Sequence, residues 1–384
     1  YWKICLMNII ISPNSFKGTF SSVEATKIIE EGLVSVNSNF KIIKLPIADG
    51  GDGSLDVFKF YNDHDTIYEE VKNPLGKIIK SEYILIDNGN TAVIEFASAS
   101  GLKLIEENEK DINKSSSYGT GQLILSAINK GVKKIILSLG GSATIDGGSG
   151  ILNALGIKFL DNKRAYINDN HIIGLNSIDL SDFILKKKNI EFILLSDVKN
   201  LLLGKNGSVN IFGSQKGLKN DDKCFYESCL NNFSKITDKI YNVESNNIIG
   251  GGAAGGAGAF LKIFLNAKIY SGSDFIFNHI NYLRYVKKNT IIITGEGFLD
   301  SQSLYGKAPI SLSNYLKEKD VFLVAIGGRI DYSILEKLLE YFHLVLPACE
   351  SKDDSFCIKN SKMLLKNISA SIAKILILRS SIFK

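Results

Sequence analysis

Short runs of apolar, mostly β-branched residues alternate with helical patterns near the start of the chain. Residues 8–11 and 41–46 form two such runs, and between them Ser21 and Glu24 make a capping box ahead of apolar residues at helical spacing. The second run leads through a loop rich in glycine and aspartate into a helix predicted to begin at Ser54. This strand–helix–strand–helix order predicts a parallel sheet with helices on its faces.

The middle of the chain shows a different pattern. Residues 78–86 and 91–97 are strand-like and flank the tetrapeptide Asp-Asn-Gly-Asn, a hairpin signal that favours antiparallel pairing. A helix is predicted near residues 121–130, followed by strands at 134–139 and 192–195. This part of the chain is therefore predicted to be a mixed α/β domain.

The alternation of strands and helices returns toward the end of the chain. Strands are predicted at 290–293, 321–326 and 344–346, and an amphipathic helix closes the chain with Ile368 and Ile372 on its apolar face. We infer the α/β class with two domains, a doubly wound parallel sheet built from both chain ends and an inserted mixed α/β domain. The predicted bounds are 7–71 together with 289–384 for the first domain, and 72–288 for the second.

The ends of the predicted parallel strands carry polar residues. Lys17, Asp49, Glu296 and the pair Gly327 and Gly328 each follow the end of a predicted strand. In open α/β sheets, ligands bind beyond the carboxyl ends of the strands. We therefore expect an active site in the cleft between this edge of the sheet and the inserted domain.

The segment 294–307 contains the largest concentration of candidate functional groups in the chain. It combines glycines, carboxylates, hydroxyls and the terminal Lys307, the groups that a site for phosphate and a divalent cation requires. It does not match a P-loop, because Ala308 follows the lysine and Ser301 stands where the first glycine is needed. Four other segments of similar character follow apolar runs and are interpreted as parts of one divided site: 12–18, 48–53, 140–148 and 196–197.

A second glycine pattern leaves two interpretations open. Gly250, Gly252 and Gly255 have the spacing of a dinucleotide-binding fingerprint, and Asp274 lies about twenty residues further on. The upstream residues 242–247 are polar and make a poor strand. A Rossmann fingerprint therefore competes with a glycine-rich turn that opens a helix and holds phosphate.

Individual charged residues also allow more than one interpretation. Lys17 is either an anion-binding or a solvated loop lysine, and Asp49 either binds a ligand or metal or serves the turn. For Asp146, helix capping competes with a functional role. For Asp197 a general base is favoured, because the apolar strand before it would desolvate the carboxylate and raise its pKa. The histidines are interpreted as structural or surface residues: His64, His171, His279 and His343.

Composition and charge narrow the function classes. At 384 residues the chain is long enough for two domains, and 45% hydrophobic with 22% charged residues is typical of a soluble globular enzyme. The net charge is +5, but 45 basic and 40 acidic residues interleave, which argues against a nucleic-acid partner. No apolar run approaches the ~20 residues of a membrane span, so no membrane partner is expected. The residues before Met7 lack the features of a secretory signal, and Met7 is interpreted as the natural start of a cytoplasmic protein, monomeric or homodimeric.

The five cysteines form no recognisable pattern. They are scattered, contain no Cys-x-x-Cys and do not combine with the histidines at metal spacing. Neither structural zinc nor a disulfide framework is expected, which fits a reducing compartment.

The order of these motifs resembles the glycerate kinase type-1 family, bacterial enzymes that phosphorylate D-glycerate with ATP. The resemblance covers nearly the whole chain from Met7 onward. It implies a flavodoxin-like domain built from both chain ends and a distinct inserted α/β domain. The motifs that carry it are Ser15-Phe16-Lys17-Gly18, residues 48–53, Tyr118-Gly119-Thr120-Gly121, residues 140–148, Ser196-Asp197-Val198, Gln215-Lys216-Gly217, Gly252-Ala253-Ala254-Gly255-Gly256 and residues 294–307.

The chain departs from the family pattern at several positions. Where the family typically has Asp, Asn, Cys and Pro, this chain has Asn14, Ile145, Ser196 and Leu201, and Phe298 stands where an arginine is common. A phenyl ring cannot replace a guanidinium contact to a carboxylate or phosphate, so a change in affinity or substrate choice is expected. The acidic, glycine and lysine positions that phosphoryl transfer needs are present, and activity is expected.

The resemblance implies transfer of the γ-phosphoryl of ATP to a hydroxyl of D-glycerate, with Mg²⁺ bridging the phosphates, to give 2-phosphoglycerate or 3-phosphoglycerate. Asp197 is predicted to accept the hydroxyl proton, and Lys17 and Lys307 to neutralise carboxylate or phosphoryl oxygens. Metal binding is assigned to Asp49, Glu296 and Asp300. Substrate and phosphate binding is assigned to Ser15, Gly18, Gly141, Ser142, Gly252, Gly255, Gly295, Gln302 and Ser303.

Two other functions remain open. A nicotinamide-dependent oxidoreductase of a small hydroxy acid would also use glycine-rich loops and carboxylates. A non-catalytic protein could bind a small anion in the same cleft, although several acidic residues gathered there would disfavour anion binding.

Overall fold

The structure is a computed structural model that describes residues 8–168, 170–351 and 353–382. The interpretation of Met7 as the natural start lies outside the described residues. The chain divides into two compact units. The first unit comprises Tyr1–Asp49 with Ser273–Lys384, and the second comprises Gly50–Gly272.

The helices and strands of the described residues are numbered along the chain. The strands are β1 (Asn8–Ile11), β2 (Lys41–Lys44), β3 (Asp65–Lys72), β4 (Ile78–Ile86), β5 (Thr91–Glu95), β6 (Lys134–Ser138), β7 (Lys158–Leu160), β8 (Ser177–Asp179), β9 (Glu191–Leu195), β10 (Lys268–Tyr270), β11 (Thr290–Leu299), β12 (Val321–Ile330) and β13 (Leu344–Pro347). The α-helices are α1 (Ser22–Val34), α2 (Ser54–Tyr61), α3 (Phe96–Ser100), α4 (Tyr118–Asn129), α5 (Ser149–Ala154), α6 (Ser208–Phe212), α7 (Lys223–Tyr241), α8 (Ala257–Phe264), α9 (Gly272–His279), α10 (Ala308–Tyr315), α11 (Leu335–Leu339), α12 (Asp354–Lys359) and α13 (Ser361–Ile382).

The first unit is built on a parallel sheet to which both chain ends contribute, as predicted. Its strand order is β13-β12-β11-β1-β2, and every neighbouring pair is parallel. Counted along this unit, the order is that of flavodoxin-like folds, 2-1-3-4-5. The central β1 is fully buried at Ile9, Ile10 and Ile11, which explains why its sequence is a continuous apolar run.

Helix α1 begins where the capping box predicted. The Ser21 side chain accepts a hydrogen bond from the Glu24 backbone N–H, and the Glu24 carboxylate accepts one from the Ser21 backbone N–H. The helix buries Ile28, Ile29 and Leu33 in the core of the first unit. The capping box therefore predicted the start of this helix, and the apolar spacing predicted its buried face.

Strands β11 and β12 are longer than predicted. Gly295, Glu296, Gly327 and Gly328 lie within these strands and not beyond their ends, and Glu296 pairs in register with Gly327. The glycines permit this close pairing, since a Cβ at Gly295 would lie 2.1 Å from the Ile326 carbonyl oxygen. The expectation of a loop at these positions was wrong, because glycine was taken as a turn signal where it serves close approach of two backbones.

The second unit contains a mixed sheet of six strands. Its order is β10-β9-β6-β5-β4-β3, with antiparallel pairing among β3, β4 and β5 and parallel pairing from β5 to β10. The predicted hairpin joins β4 and β5. Strand β3 was not predicted, because it is an edge strand with several charged residues and few buried ones. Strands β7 and β8 form a small separate sheet.

The two units divide elsewhere than at the predicted bounds. The chain passes into the second unit after Asp49 and returns after Gly272. Strand β3 belongs to the second unit because it pairs along its whole length with β4. Residues 50–71, assigned by the sequence pattern to the first domain, therefore lie in the second unit.

The cysteines correct another expectation. Cys349 and Cys357 form a disulfide, with 5.9 Å between their Cα atoms, so the prediction that excluded disulfides was wrong. One cysteine follows β13 and the other lies in α12, a proximity that sequence spacing alone does not reveal. Cys224 is exposed and Cys229 is buried, both as free thiols.

In the described part of the chain, no helix is both long enough and apolar enough to cross a bilayer.

Candidate active site

The first cluster of polar residues lies at the carboxyl edge of the sheet in the first unit. The loop after β1 is tied to β11, because the Asn14 backbone N–H donates to the Gly295 carbonyl oxygen at 2.8 Å. The Asn14 side-chain amide donates to Asp49 Oδ2 at 3.4 Å. The structure therefore brings the ends of β1, β2 and the middle of β11 together around Asn14, Asp49 and Glu296.

Glu296 is the buried centre of this cluster, with 3% of its surface exposed. Burial raises the pKa of its carboxyl group and nearby Asp49 adds to that rise, while Lys307, the Ser303 hydroxyl and Lys17 oppose it. Ser303 Oγ donates to Glu296 Oε1 at 2.6 Å, and Lys307 Nζ lies 3.4 Å from Glu296 Oε2. Opposite charge and a hydrogen bond thus stabilise a carboxylate that burial alone would disfavour.

Asp300, Ser303 and Lys307 form a compact turn before α10. The Ser303 backbone N–H donates to Asp300 Oδ1 at 3.1 Å, and the Asp300 backbone N–H donates to Ser303 Oγ at 3.2 Å. Lys307 Nζ lies 3.3 Å from Asp300 Oδ1, so this one lysine pairs with two carboxylates. Gln302, in the same turn, is exposed. The turn holds the Lys307 ammonium next to Glu296.

The turn after β1 presents Ser15, Lys17 and Gly18. Lys17 and Gly18 are exposed, and Gly18 adopts φ +84° with no atom within 4 Å of an added Cβ. The Lys17 backbone nitrogen lies against β11, 3.1 Å from where a Cβ on Gly297 would stand. The exposed Lys17 is thus close enough to lower the pKa of Glu296.

A three-carboxylate metal site is not assembled. Among the described residues, no group of three His, Cys, Asp or Glu side chains could hold a metal ion. Lys307 pairs with both Glu296 and Asp300, and Asp300 is also engaged in the turn. Mg²⁺ in kinase sites needs only one or two carboxylates, with waters and phosphate oxygens completing its octahedron. Glu296 with neighbouring Asp49 fits that smaller requirement.

The second cluster lies at the carboxyl edge of the sheet in the second unit. Asp197 follows β9 directly and is half-buried, and Ser271 Oγ, just after β10, donates to Asp197 Oδ1 at 2.7 Å. The backbone of this edge is closely packed, since a Cβ on Gly140 would lie 2.3 Å from the Gly51 Cα. The Asp197 carboxylate is therefore held in place by a hydroxyl donor on the neighbouring strand.

The loop after β6 carries Gly141, Ser142 and Asp146. Asp146 is fully buried and accepts hydrogen bonds from the Ser117 N–H and hydroxyl and from the N–H groups of Gly148 and Gly150, at 2.6 to 3.2 Å. These bonds join the loop to the starts of α4 and α5, which favours the capping interpretation of Asp146. Ser142 is 5% exposed and Gly141 is exposed.

The glycine pattern at 250–255 is not a dinucleotide fingerprint. It is preceded by α7 and a short 3₁₀ helix at Ser245–Asn247, whereas the fingerprint requires a strand. Close packing accounts for two of its glycines: a Cβ on Gly252 would lie 2.4 Å from the Leu201 carbonyl oxygen, and one on Gly255 2.0 Å from the Thr144 carbonyl oxygen. The turn is a glycine-rich segment ahead of α8 and lies against the loop after β6.

Sequence reasoning missed two buried charged residues of the second unit. Glu95, at the end of β5, accepts hydrogen bonds from the Gly53 and Leu55 N–H groups at 2.7 and 2.9 Å, and burial raises its pKa to about 7. Lys216, with 3% of its surface exposed, has its pKa lowered by burial to about 7. Lys216 lies within the motif Gln215-Lys216-Gly217, so the sequence offered a signal for it. Glu95 ends a largely apolar strand and offered no such signal.

The departures from the family pattern lie in different environments. Ile145 is fully buried in the core of the second unit, while Leu201 is 41% exposed. Phe298 is 47% exposed on β11 and pairs in register with Arg329 on β12. The Arg329 guanidinium donates to the Ser351 carbonyl oxygen and pairs with Asp354, so it is already engaged within the first unit.

Comparison with known proteins decides the family. A model of the glycerate kinase family matches residues 9–377. The chain belongs to the glycerate kinase family. It is 33% identical to the glycerate 2-kinase of Escherichia coli K12, covering 96% of this chain and 98% of that protein. It is also 34% identical to the glycerate kinase of Bacillus subtilis 168, covering 91% and 93%.

A solved structure supports the same family. A protein from Salmonella typhimurium LT2, provisionally named glycerate kinase 2, matches with a TM-score of 0.78 and 31% identity, covering 96% of this chain and 98% of that one. These similarities to glycerate kinases give no support to a nicotinamide-dependent oxidoreductase or to a non-catalytic anion-binding protein.

Proposed function

We propose that this member of the glycerate kinase family transfers the γ-phosphoryl of ATP to a hydroxyl of D-glycerate, giving 2-phosphoglycerate. The observation that carries the proposal is the arrangement in the first unit of buried Glu296 with Lys307, Asp49 and Lys17. Phosphoryl transfer depends on positioning and charge neutralisation. This arrangement supplies lysines to neutralise phosphoryl oxygens and carboxylates to bind a metal ion. The name of the Escherichia coli relative supports transfer to the 2-hydroxyl.

The first unit is assigned the phosphate chemistry. Lys307 and Lys17 neutralise phosphoryl or carboxylate oxygens, and Ser303 keeps the Glu296 carboxylate oriented. Glu296 and Asp49 are the residues that would hold Mg²⁺, and the ion would supply positive charge that neutralises phosphoryl oxygens. Ser15 and the backbone N–H groups around Gly18 are assigned to phosphate binding, as are Gly295 and Gln302 by position alone.

The second unit is assigned the proton transfer. The glycerate hydroxyl oxygen forms a bond to the γ-phosphorus while the bond to the bridging oxygen of ADP breaks. Asp197 accepts the hydroxyl proton, and Ser271 keeps its carboxylate in one orientation. Gly141 and Ser142 are assigned to anion binding, and Gly252 and Gly255 to shaping the backbone behind them.

The direct test is an assay of the purified protein with ATP, Mg²⁺ and D-glycerate. We expect ADP release that depends on D-glycerate, with L-glycerate as the matched control. Phosphorus NMR of the product identifies the phosphorylated hydroxyl, and 2-phosphoglycerate is expected. ADP release without a phosphoglycerate would overturn the proposal, and 3-phosphoglycerate would overturn its regiochemistry.

Two further properties belong to this proposal. We propose that the enzyme works in the cytoplasm, where ATP is available, as a monomer or homodimer with D-glycerate and ATP as its small-molecule partners. Size-exclusion chromatography with light scattering measures the oligomeric state directly.

A further inference from the structure

Lys216 is a buried cation held by uncharged oxygens. Its Nζ donates to Ser142 Oγ at 2.7 Å and to the Thr144 carbonyl oxygen at 2.8 Å. Only 3% of its surface is exposed, and nearby Asp146 favours its charged form. Burying an ammonium is costly even when hydrogen bonds are made, so a buried lysine with neutral partners points to a role beyond packing.

The hydrogen bond from Lys216 to Ser142 determines where the Ser142 hydroxyl hydrogen can point. The charged form of Lys216 has only donors, so in that form the Ser142 oxygen accepts the hydrogen bond from Lys216. The Ser142 hydroxyl hydrogen then has to point to another acceptor. Lys216 therefore turns Ser142 into a donor, and a donor polarised by a neighbouring cation binds an anionic oxygen more strongly.

The backbone around Ser142 is fixed from the opposite side. The Leu102 N–H donates to the Gly141 carbonyl oxygen at 2.9 Å, and the Ala143 N–H donates to the Ser100 carbonyl oxygen at 2.9 Å. The loop is thus held by backbone bonds on one side and by Lys216 on the other. Such double support is what a preorganised anion-binding hydroxyl requires.

We propose that Lys216 is a positioning residue that holds Ser142 as a hydrogen-bond donor to an anionic oxygen of the substrate. The anionic oxygen belongs either to the glycerate carboxylate or to the γ-phosphoryl group of ATP. This inference rests on the proposed function and adds a residue to it. Lys216 itself does not touch the substrate, because it lies buried behind Ser142 and Thr144.

The test is a double-mutant cycle with Lys216→Met, Ser142→Ala and the double variant. Each single change should raise the KM of the substrate that carries the bound anion by roughly tenfold, and leave the KM of the other unchanged. Because Lys216 acts through Ser142, the double variant should show no further rise. Comparing D-glycerate with ATP distinguishes the two sources of the anion. Multiplied effects in the double variant would contradict the proposal.

The matched control is Lys110→Met. Lys110 Nζ donates to the carbonyl oxygen of Gln215, next to Lys216 in the chain, and pairs with Glu107. This variant removes a lysine that contacts the segment next to Lys216 and leaves Ser142 untouched, so both KM values should stay at the wild-type level. Circular dichroism of each variant reports folding. If Lys216→Met fails to fold, Ser142→Ala decides alone, since unchanged KM values for both substrates would overturn the proposal.

A binding readout separates this inference from the proposed function. The melting temperature of each variant is measured with D-glycerate alone and with ATP alone. Loss of stabilisation by one ligand in both single variants supports the positioning role even if the wild type shows no turnover. Equal stabilisation of all variants by both ligands would overturn it, whatever the activity.

Discussion

The two units place charged residues at the carboxyl edge of a sheet in different ways. In the first unit, Glu296 is buried but shares Lys307 with Asp300, so opposite charges stabilise each other. In the second unit, Glu95 is held by backbone N–H donors and Lys216 by neutral oxygens, and the pKa of each is shifted to about 7. Burial raises the pKa of Glu296 as well as that of Glu95, and the two carboxyl groups differ in what opposes the rise: Lys307 and the Ser303 hydroxyl at Glu296, and backbone N–H groups at Glu95.

This difference suits a division of tasks. In the proposed function the edge of the first unit handles phosphate, and its lysines would supply the positive charge that phosphoryl oxygens require. In the same proposal the edge of the second unit orients the small substrate, and the glycine-lined backbone and Ser142 would supply fixed hydrogen-bond donors. If substitutions in the two units change kcat, KM and the Mg²⁺ requirement in the same way, the proposed division of tasks is wrong.

The largest effect is expected for Asp197→Asn in the second unit. An amide cannot accept the hydroxyl proton as a carboxylate does, so kcat should fall by about 10² to 10⁴ with a smaller change in the KM of D-glycerate. Ser271→Ala is the matched control, because it removes only the hydroxyl that donates to Asp197 and should cost much less. Steady-state kinetics measure both. A near-normal kcat for Asp197→Asn would remove this residue from the base role.

A smaller effect is expected for Glu296→Gln in the first unit. The amide loses the negative charge beside Lys307 and Asp49, so the Mg²⁺ concentration for half-maximal activity should rise by roughly 10- to 100-fold. Asp300→Asn is the comparison, because Asp300 pairs with the same lysine but mainly holds the turn with Ser303. Magnesium titrations at saturating ATP measure the difference. Equal shifts in both variants would favour Asp300 as a second ligand.

The third prediction concerns stability and tests the packing role of Gly255. An alanine there combines φ +69° with a Cβ that would lie 2.0 Å from the Thr144 carbonyl oxygen. Gly131→Ala is the matched control, since it has φ +87° but nothing within 4 Å. The control should lose about 1–2 kcal/mol from left-handed strain, and Gly255→Ala about 1–3 kcal/mol more from the clash. Thermal unfolding measures this, and equal losses would contradict the packing argument.

Local patterns predicted much of the fold. Capping at Ser21, the helix start at Ser54 and the Asp-Asn-Gly-Asn hairpin depend on neighbouring residues, and each was found where predicted. The alternation of strands and helices also predicted the parallel sheet built from both chain ends, while its flavodoxin-like arrangement was implied by the family resemblance. The resemblance to a family supplied the function, which local physics alone left open.

Features that depend on distant partners could not be predicted. The strand extension through Glu296 needs β12 beside it, and the Cys349–Cys357 disulfide needs α12 folded back toward β13. Likewise, Lys216 is a buried cation only because Ser142 and Thr144 meet it from far away in the sequence. The assigned roles of Ser15, Gln302 and Lys17 stay predictions.

The smallest effect is expected from Glu95→Gln. The sign of its pH dependence distinguishes a buried carboxyl group with a raised pKa from a carboxylate paired with a lysine. Burial raises the folded-state pKa of Glu95 to about 7, above its ordinary value of 4.5. Its contribution to stability is therefore fully present below about pH 4.5 and is lost as the pH rises through about 7. Glutamine does not titrate, so the melting temperature of the variant relative to wild type should rise between these pH values.

Glu191→Gln is the opposite case in the same unit. A hydrogen bond from Lys268 lowers the pKa of Glu191, so its contribution is present at neutral pH and is lost as the pH falls through its folded-state pKa. Relative to wild type, this variant should be less stable at pH 7 and should recover on acidification. Melting curves of both variants from about pH 2 to pH 8 compare the two slopes, since the lowered pKa of Glu191 places its transition below about pH 4.5. Slopes of the same sign would show that the Gly53 and Leu55 N–H groups favour the ionised Glu95 carboxylate by more than burial disfavours it, against the raised pKa.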